Sequence, residues 1–326
     1  MKRIVLVMVV LTVIVGSLFA GGRGQAEAQY PQKPIEIVVP YSAGGAQDIW
    51  ARITIKYADQ YMPAGTRFVV SNVTAGGGIA GATVIAAARP DGYQIGAIVP
   101  FQLTDQFINL GTPYTEADFY PLAFGSSDGN FLIANPALGF KDATDYVAYE
   151  KANPGKLTFG VGGAYNSHDF FRWKIELAAG ITTNRMPFNG GAPTLAAVIG
   201  GHCDVASVSI AEALAAMEAG QVVALGISDG ERSPLAPDVK TMVEQGINVV
   251  HAQWRCMTVP PDTPQEIKTM LTEAFRKTFE NPDWIKECLA AGLNPINIAG
   301  QDAVKFYQED FLEYKNLVQE LGIKAQ

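Results

Sequence analysis

Strand-like and helix-like segments alternate along almost the whole chain from residue 30 onward, and this alternation restricts the fold more than any other sequence feature. Short runs rich in β-branched residues are followed by longer stretches with apolar residues at helical spacing. The predicted strands are Ile35–Pro40, Phe68–Val73, Gln94–Val99, Phe131–Asn135, Leu157–Val161, Arg185–Phe188, Val205–Ile210 and Val222–Ser228. The predicted helices are Ala46–Tyr61, Ile79–Ala88, Ala143–Ala152, Ser167–Ala179, Ala192–Ile199, Ala211–Ala219, Pro264–Phe279, Asp283–Ala291 and a long one from Gln301 to about Leu321. This order favours α/β layers with mostly parallel sheets.

Four predicted strands end in glycine-rich turns, and each turn leads towards a helix. The turns are Gly44-Gly45, Gly76-Gly77-Gly78, Gly162-Gly163 and Gly190-Gly191. Any one of them is compatible with an ordinary strand–helix connection. In doubly wound sheets, however, ligands bind beyond the carboxyl ends of the strands, and the free N–H groups of a helix start attract anions. The four turns together therefore predict one shared cleft.

The first turn, within "VVPYSAGGAQDIWAR", excludes two familiar phosphate sites. It lacks the Gly-x-Gly-x-x-Gly pattern of dinucleotide-binding folds and the Gly-Lys-Ser/Thr of the P-loop.

The N-terminus is typical of a secretory signal. Lys2 and Arg3 precede an apolar run, and Ala26 and Ala28 stand at the −3 and −1 positions of a cut before Gln29. An uncleaved membrane anchor is the alternative. Removal of residues 1–28 leaves about 300 residues, for which two domains and a monomer in the periplasm or outside the cell are expected.

Composition excludes several functional classes. The full chain has a net charge of −8 and no basic run, so it does not resemble a nucleic-acid binder. Three cysteines, Cys203, Cys256 and Cys288, allow one disulfide at most. The three histidines are far apart in sequence, so neither a metal site nor another cofactor is predicted.

Two candidate crossovers divide the chain. Polar residues at Ser126–Asn130 and at Gly246–Gln253 interrupt the alternation. They predict domain 1 from residues 29–126 and 250–326, and domain 2 from residues 127–249. Two crossing strands form a hinge, as in proteins that close around a small ligand.

At seven points the mature sequence is similar to one known family. The matching stretches are "YPQKPIEIVVPYSAGGAQDIWAR", "NVTAGGGIAGA", "RPDGYQIG", "NPGKLTFGVGGAYNSHDF", "MPFNGGAPTLAAVIGGHCDVASVS", "ISDGERSPLAPDVKTMVEQG" and "VPPDTP". In this order they resemble the substrate-binding proteins of tripartite tricarboxylate transporters, the TctC-like or Bug family of extracytoplasmic solute receptors.

The resemblance implies a periplasmic-binding-protein-like fold with two α/β domains, each a sheet flanked by helices, joined by two crossing strands. It also implies a carboxylate ligand held in the interdomain cleft by helix-start N–H groups and ordered water, with few charged side chains. The implied partners are a large and a small membrane subunit, similar to TctA and TctB.

Three departures from the family pattern fall where ligand identity is set. Phe188-Asn189-Gly190 replaces a Tyr-Lys-Gly, Asn166-Ser167-His168 replaces a Ser-x-x-His and adds Tyr165, and the loop Pro100–Thr104 after the third strand is bulkier than expected. The ligand therefore cannot be taken over from a relative.

Ligand contacts are predicted in the loops that these patterns mark. The candidate residues are Tyr41, Ser42, Ala43, Gly44, Gly45, Gln47, Asp48, Gly77, Gln102, Thr104, Gly163, Tyr165, Asn166, Ser167, His168, Asn189, Gly190, Gly191, Ala192 and Ser207.

Several candidates also have a structural interpretation. Asp48 complements the dipole of its helix or contacts a ligand amino group, with Arg52 as its neighbour on the same face. Ser167 is an N-cap or a ligand contact. Ser207 faces the cleft or is a buried hydroxyl, and Trp254 packs the hinge or stacks on a ligand.

The sequence thus predicts an extracytoplasmic receptor that captures a small carboxylate, either a di- or tricarboxylate, an amino acid or an aromatic acid, by hinge closure. One alternative is a ligand-sensing receptor for a signalling partner. The other is an exported hydrolase, which is disfavoured because Ser167 and His168 are adjacent and no Gly-x-Ser-x-Gly motif surrounds them. No catalytic residue is predicted.

Overall fold

The computed structural model describes residues 30–108, 112–162, 166–188, 190–320 and 322. The predicted signal peptide, residues 1–28, lies outside these ranges. The strands are β1 (Ile35–Val39), β2 (Phe68–Asn72), β3 (Gln94–Ile98), β4 (Tyr120–Ala134), β5 (Thr158–Val161), β6 (Asn184–Pro187), β7 (Val205–Ser209), β8 (Val223–Ile227), β9 (Ala252–Val259) and β10 (Pro295–Ala299). The helices are α1 (Ala46–Ala58), α2 (Ile79–Ala86), α3 (Phe101–Ile108), α4 (Ala143–Ala152), α5 (Ser167–Ala179), α6 (Gly191–Ile199), α7 (Ile210–Glu218), α8 (Gln265–Glu280), α9 (Pro282–Ala290) and α10 (Gln301–Glu320).

The strands of these ranges form one mixed sheet in the order β2-β1-β3-β9-β4-β7-β5-β6, and β8 and β10 also pair with β4. β1 pairs in parallel with β2 and β3, and β5 pairs in parallel with β6 and β7. Every pairing made by β4 or β9 is antiparallel. The expectation of mostly parallel sheets is therefore wrong at the centre, because the chain crosses there in both directions.

β4 and β9 connect the two halves of the sheet. The first part of β4, Tyr120–Gly129, pairs with β9, and its last part, Asn130–Ala134, pairs with β7 and β8. The sequence predicts a strand in the last part of β4 and a strand-like stretch at Leu122–Phe124, but it does not predict β9 or β10. These strands depend on partners far away in sequence, which local patterns do not reveal.

The hydrophobic core is divided in the same way. One cluster combines β1, α1 and β3 with β9, α8 and α9, and includes Trp50, Phe275 and Trp284. Two other clusters draw only on residues between Phe131 and Val249. The domain boundaries predicted from the sequence remain a prediction, and the crossing strands and divided core are consistent with them.

The segment after β3 differs from the expected loop. Phe101–Ile108 forms helix α3, which begins directly after Pro100. Its first turn buries Gln102, Leu103 and Thr104, so the bulky residues of this segment belong to a packed helix.

Cys203, Cys256 and Cys288 are buried free thiols. Over the described ranges, no helix combines the length and apolar character needed to cross a bilayer.

A cleft between the two sheet halves as the candidate ligand site

Two adjoining cavities lie where the first turn, the crossing strand β9 and the start of α5 approach one another. The first has a volume of about 340 Å³ and is lined by Tyr41, Val99, Pro100, Phe101, Thr104, Asn166, Ser167, His168, Phe170, Gln253 and Tyr314. The second has a volume of about 360 Å³ and is lined by Tyr41, Ser42, Gly45, Ala46, Gln47, Gln253 and Arg255. Tyr41 and Gln253 line both cavities. Volumes of this size are typical of small-molecule sites.

The first turn presents the start of α1 to the second cavity. Gly45 is the N-cap residue, and α1 has no side-chain cap within the described part of the chain. The first N–H groups of a helix have no acceptor within the helix, so this terminus offers donors and a partial positive charge.

Asp48 fixes the turn from behind. Its carboxylate accepts hydrogen bonds of 2.9 Å from the Gly44 N–H, from Arg52 Nε and from Asn72 Nδ2. Burial alone would raise the pKa of Asp48, but these hydrogen bonds outweigh it and hold the pKa below its ordinary value. The expected pairing of Asp48 with Arg52 is present. Both carboxylate oxygens are used inside the protein, which favours the structural interpretation of Asp48.

Arg255 of β9 forms the opposite wall of the second cavity. Its Nη1 donates to Asp128 and, over 3.0 Å, to Ser126 Oγ, whereas its buried Nε has no partner among the described residues. Burial lowers the pKa of Arg255 to about 10, so the guanidinium remains charged at neutral pH. Gln47, 6% exposed, likewise has a buried Oε1 that no described residue contacts by a hydrogen bond.

Gln102 and Tyr41 connect the two cavities. Gln102 Nε2 donates to the Tyr41 hydroxyl over 3.1 Å, and Gln102 Oε1 accepts from the Val99 N–H. Gly78 lies against this pair, because a Cβ there would stand 3.0 Å from Gln102 Nε2 and 3.2 Å from the Tyr41 hydroxyl.

The start of α5 forms the far wall of the first cavity. Asn166 is its N-cap residue, and the Asn166 side chain accepts from the N–H groups of His168 and Asp169. The interpretation of Ser167 as the N-cap is therefore wrong, because the Asn166 amide oxygen already satisfies the donors of that turn. Ser167 Oγ accepts instead from Asn130 Nδ2 over 3.1 Å.

Two histidines support this wall, and burial disfavours the charged form of each. His168 Nδ1 is hydrogen-bonded to Ser207 Oγ at 3.1 Å, and His251 Nε2 to Ser167 Oγ at 2.9 Å. Burial lowers the pKa of His168, although Glu212 and Asp169 favour its charged form. Burial also lowers the pKa of His251 well below its usual value.

The Ser167–His251 pair was not foreseen from the sequence, which offered only His168 as a base. His251 Nδ1 is buried, and no described residue forms a hydrogen bond with it. A hydrolase of the serine type needs an acid at that nitrogen to orient the imidazole. The described residues therefore lack a catalytic triad here.

The structure brings together only part of the predicted site. Eight candidates line the cavities: Tyr41, Ser42, Gly45, Gln47, Thr104, Asn166, Ser167 and His168. Gln102 and Ser207 support lining residues through hydrogen bonds, while Ala43 and Gly44 lie in the first turn and Gly77 in the 3-10 turn Gly76–Gly78. Gly163, Tyr165 and Asn189 lie outside the described residues.

The start of α6 stands apart from the cavities. Gly190, Gly191 and Ala192 are absent from both linings, and a Cβ at Gly191 would lie 2.1 Å from a carboxylate oxygen of Glu212. A fixed carboxylate therefore already faces this helix start. Of the four glycine turns, the first alone contributes a glycine to the described lining.

Several lining residues were missed from the sequence. Gln253 and Arg255 are two residues apart on β9, so they share one face, but only the pairing of β9 with β4 shows that this face meets the first turn. Trp254, between them, is turned into the core, where it packs against Phe124 and donates to Asp310 Oδ2 over 2.7 Å. This supports the packing interpretation of Trp254.

Comparison with known proteins adds a family and a fold. Residues 60–323 match the family described as "Tripartite tricarboxylate transporter family receptor" (TctC). A relative from Cupriavidus necator, "UPF0065 protein in gbd 5'region", is 29% identical over 307 residues, which is 93% of this chain and 92% of the relative.

Solved structures of two similar proteins superpose on the chain. A TctC solute binding protein from Polaromonas is 25% identical with a TM-score of 0.79, over 90% of this chain and 100% of that one. Rpa4515 of R. palustris, solved with adipate, is 22% identical with a TM-score of 0.77, over 91% of this chain and 100% of that one. The similarity to Rpa4515 is evidence for the fold alone.

Proposed function

The chain belongs to the TctC family of tripartite tricarboxylate transporter receptors, and on that premise we propose that it captures a small carboxylate in the cleft for uptake. Its fold is that of the two-domain periplasmic binding proteins, and this family and fold are those of receptors rather than enzymes. The transport role, the membrane partners similar to TctA and TctB, and export by cleavage after residue 28 are parts of the proposal.

One observation carries the proposal. The uncapped start of α1 and Arg255 both line the second cavity, and Arg255, ion-paired with Asp128, keeps a buried Nε without a partner among the described residues. A helix N-terminus stabilises an anion by about 0.3 to 2 kcal/mol, and each hydrogen bond to a charged group contributes about 1.5 to 3 kcal/mol. Arg255 Nε is a donor that a carboxylate there could use, whereas Gln47 Oε1 is an acceptor and would need a donor from the ligand or from water. Adipate in the similarly folded Rpa4515 agrees with a carboxylate ligand.

The proposed capture proceeds by closure of the two halves. The ligand carboxylate binds the first-turn N–H groups and Arg255, and the α5 residues Asn166, Ser167 and His168 then enclose the other end. β4 and β9, which cross between the halves, are the elements about which such a movement would occur. Tight hydrogen bonding of Asp48 behind the turn keeps its donors in place before the ligand arrives.

Thermal unfolding tests the carboxylate site. Protein unfolded and refolded to remove carried ligand is heated with mono-, di- and tricarboxylates, each beside its uncharged amide. A ligand at 100 times its Kd adds about 2.7 kcal/mol of stability, which raises Tm by a few degrees. We expect stabilisation by one or more carboxylates and none by the matching amides.

Two variants locate the effect. Arg255→Lys keeps the charge but not the geometry, and we expect it to weaken carboxylate binding at least tenfold. Arg232→Lys, in an exposed ion pair with Glu244, is the matched control and should bind as the unmodified protein does. Equal stabilisation by acids and amides, or no response to any carboxylate, contradicts the proposal.

A further inference from the structure

The two cavities differ in polarity. The second is bounded by a helix N-terminus and a guanidinium. The wall of the first is largely apolar, with Val99, Pro100, Phe101, Phe170 and Tyr314. A ligand that occupies both therefore meets N–H donors of a helix start and of the Asp128-paired Arg255 at one end, and aliphatic and aromatic surface along its body.

The far wall of the first cavity offers hydrogen bonds but no positive charge. Asn166 and Ser167 are uncharged, and His168 is neutral because of its burial. The described residues that line this cavity include no Asp, Glu, Lys or Arg. The charged groups that act on His168 are the carboxylates Glu212 and Asp169, and Asp169 is paired with Arg172.

A second carboxylate at this wall would be poorly compensated. It would lose its hydration without an opposing cation in the described lining, and burial of an unpaired charge is strongly unfavourable. Glu212 near His168 would add repulsion. A phenol, an amide or a hydroxyl would lose far less, because Asn166, Ser167 and His168 can exchange neutral hydrogen bonds with it.

We infer that the preferred ligand is an aromatic monocarboxylate with a neutral hydrogen-bonding group at the end opposite its carboxylate, and not a dicarboxylate. This inference rests on the proposed function and names the ligand class of the same cleft. The carboxylate lies at α1 and Arg255, the ring packs on Phe101, Phe170 and Tyr314, and the neutral group meets the start of α5.

Calorimetric titration of refolded protein with three compounds tests the inference. These are 3-(4-hydroxyphenyl)propanoate, its amide 3-(4-hydroxyphenyl)propanamide, and adipate. We expect the hydroxyphenyl acid to bind at least tenfold more tightly than adipate and than the amide. Adipate binding as tightly or more tightly would overturn the inference while leaving the carboxylate receptor intact. Binding of the amide as tightly as the acid would remove the proposed function as well. Binding of neither acid would overturn the inference, and the thermal screen of carboxylates described above then decides whether the proposed function also fails.

A substitution that adds charge provides a second measurement. Phe101→Arg places a cation in the wall of the first cavity, and Phe101→Leu is the matched control that keeps the wall apolar. We expect the arginine variant to shift the ratio of the two affinities towards adipate by at least tenfold relative to the leucine variant. An unchanged ratio in a folded arginine variant would show that the missing positive charge does not set the selectivity. That result would contradict the inference. If the arginine variant does not fold, the affinities of the unmodified protein for the three compounds still test the inference.

Discussion

Asp229 is a buried carboxyl group beside the crossing strand β4. Its Oδ2 accepts from the Gly129 N–H over 3.0 Å, and the residue is 9% exposed. Burial raises the pKa of Asp229 to about 7, and the hydrogen bond from Gly129 opposes this rise without cancelling it. Near neutral pH, the protonation of one residue is therefore linked to the stability of the fold.

The sign of this linkage leads to a prediction for Asp229→Asn. Between pH 4, near the pKa of an unfolded aspartate, and about pH 7, the folded state holds a proton that the unfolded state lacks, so the contribution of Asp229 to stability falls as pH rises. Asparagine retains the acceptor but does not ionise. We expect the free energy of unfolding of the variant, relative to the unmodified protein, to rise by a few kcal/mol between pH 5 and pH 8.

Urea denaturation at the two pH values measures this difference. Because every other ionisable residue is the same in both proteins, the contributions of those residues cancel in the comparison. Exposed Asp262→Asn serves as the control and should show no such change. A relative stability of Asp229→Asn that does not vary with pH would show that Asp229 is ionised in the fold without penalty.

Arg255 shows where prediction from the sequence stops at this scale. The Asp48–Arg52 pair could be inferred because four residues separate its members on one helix. Arg255 is brought to Asp128 and the first turn by the pairing of β9 with β4. That partner strand lies more than 100 residues earlier in the chain. A single arginine between apolar residues carries no local sign of that position.

At the scale of elements, helix α2 packs directly on the first turn. A Cβ at Gly81 would lie 2.6 Å from Pro40 Cα and 2.7 Å from the Val73 carbonyl oxygen. Both neighbours are backbone atoms, so neither can move aside by rotation of a side chain. The close approach of α2 therefore helps to position the residues that lead into α1.

Gly81→Ala should separate these elements. We expect a loss of about 2 to 3 kcal/mol in the free energy of unfolding, as for other overpacked sites, together with weaker carboxylate binding. Gly139→Ala is the control, because Gly139 has a positive φ of 72° but no atom near the added Cβ, and should cost only about 1 kcal/mol. Denaturant unfolding and calorimetric titration measure both effects. A Gly81→Ala protein as stable as the control would contradict the close contact.

Local signals predicted elements unequally well. The bounds of α4 and α5 follow the sequence prediction because Asp142 and Asn166 cap them and a glycine or asparagine ends them. Helix α3 was taken for a loop because its segment was compared with a loop of the family. β9 and β10 were missed since their pairing, rather than their local composition, makes them strands.

Over the whole molecule, helix α10 joins the two halves in addition to the crossing strands. Its first part, with Ala303 and Tyr307, packs in the cluster that contains Phe124 and Trp254. Its last part, with Tyr314 and Leu317, packs on Phe170 of α5. Lys174 of α5 also forms an ion pair with Glu313 of α10. The halves are therefore coupled through α10 as well as through β4 and β9.

This coupling predicts one cooperative unfolding transition, and Leu317→Ala should weaken it. Leu317 is 6% exposed, and its truncation should cost roughly 2 to 4 kcal/mol. We expect tryptophan fluorescence and far-UV circular dichroism to give coincident urea transitions in the unmodified protein and separated ones in the variant. Leu312→Ala, on the same helix but 52% exposed, should leave the transitions coincident. Coincident transitions in Leu317→Ala would mean that the crossing strands alone couple the halves.

For the export proposed above, the route of the chain along β4 and back along β9 also sets an order of maturation. The clusters formed by residues 131–249 contain no residue from outside that interval, whereas the cluster around Trp50 also requires Phe275 and Trp284. A chain that leaves a translocation channel N-terminus first therefore delivers both of these clusters by residue 250, whereas the cluster of Phe170 still waits for α10. The N-terminal segment emerges first, but its core is incomplete until α8 and α9 follow. It is therefore the segment that is exposed to periplasmic chaperones and proteases before it can fold.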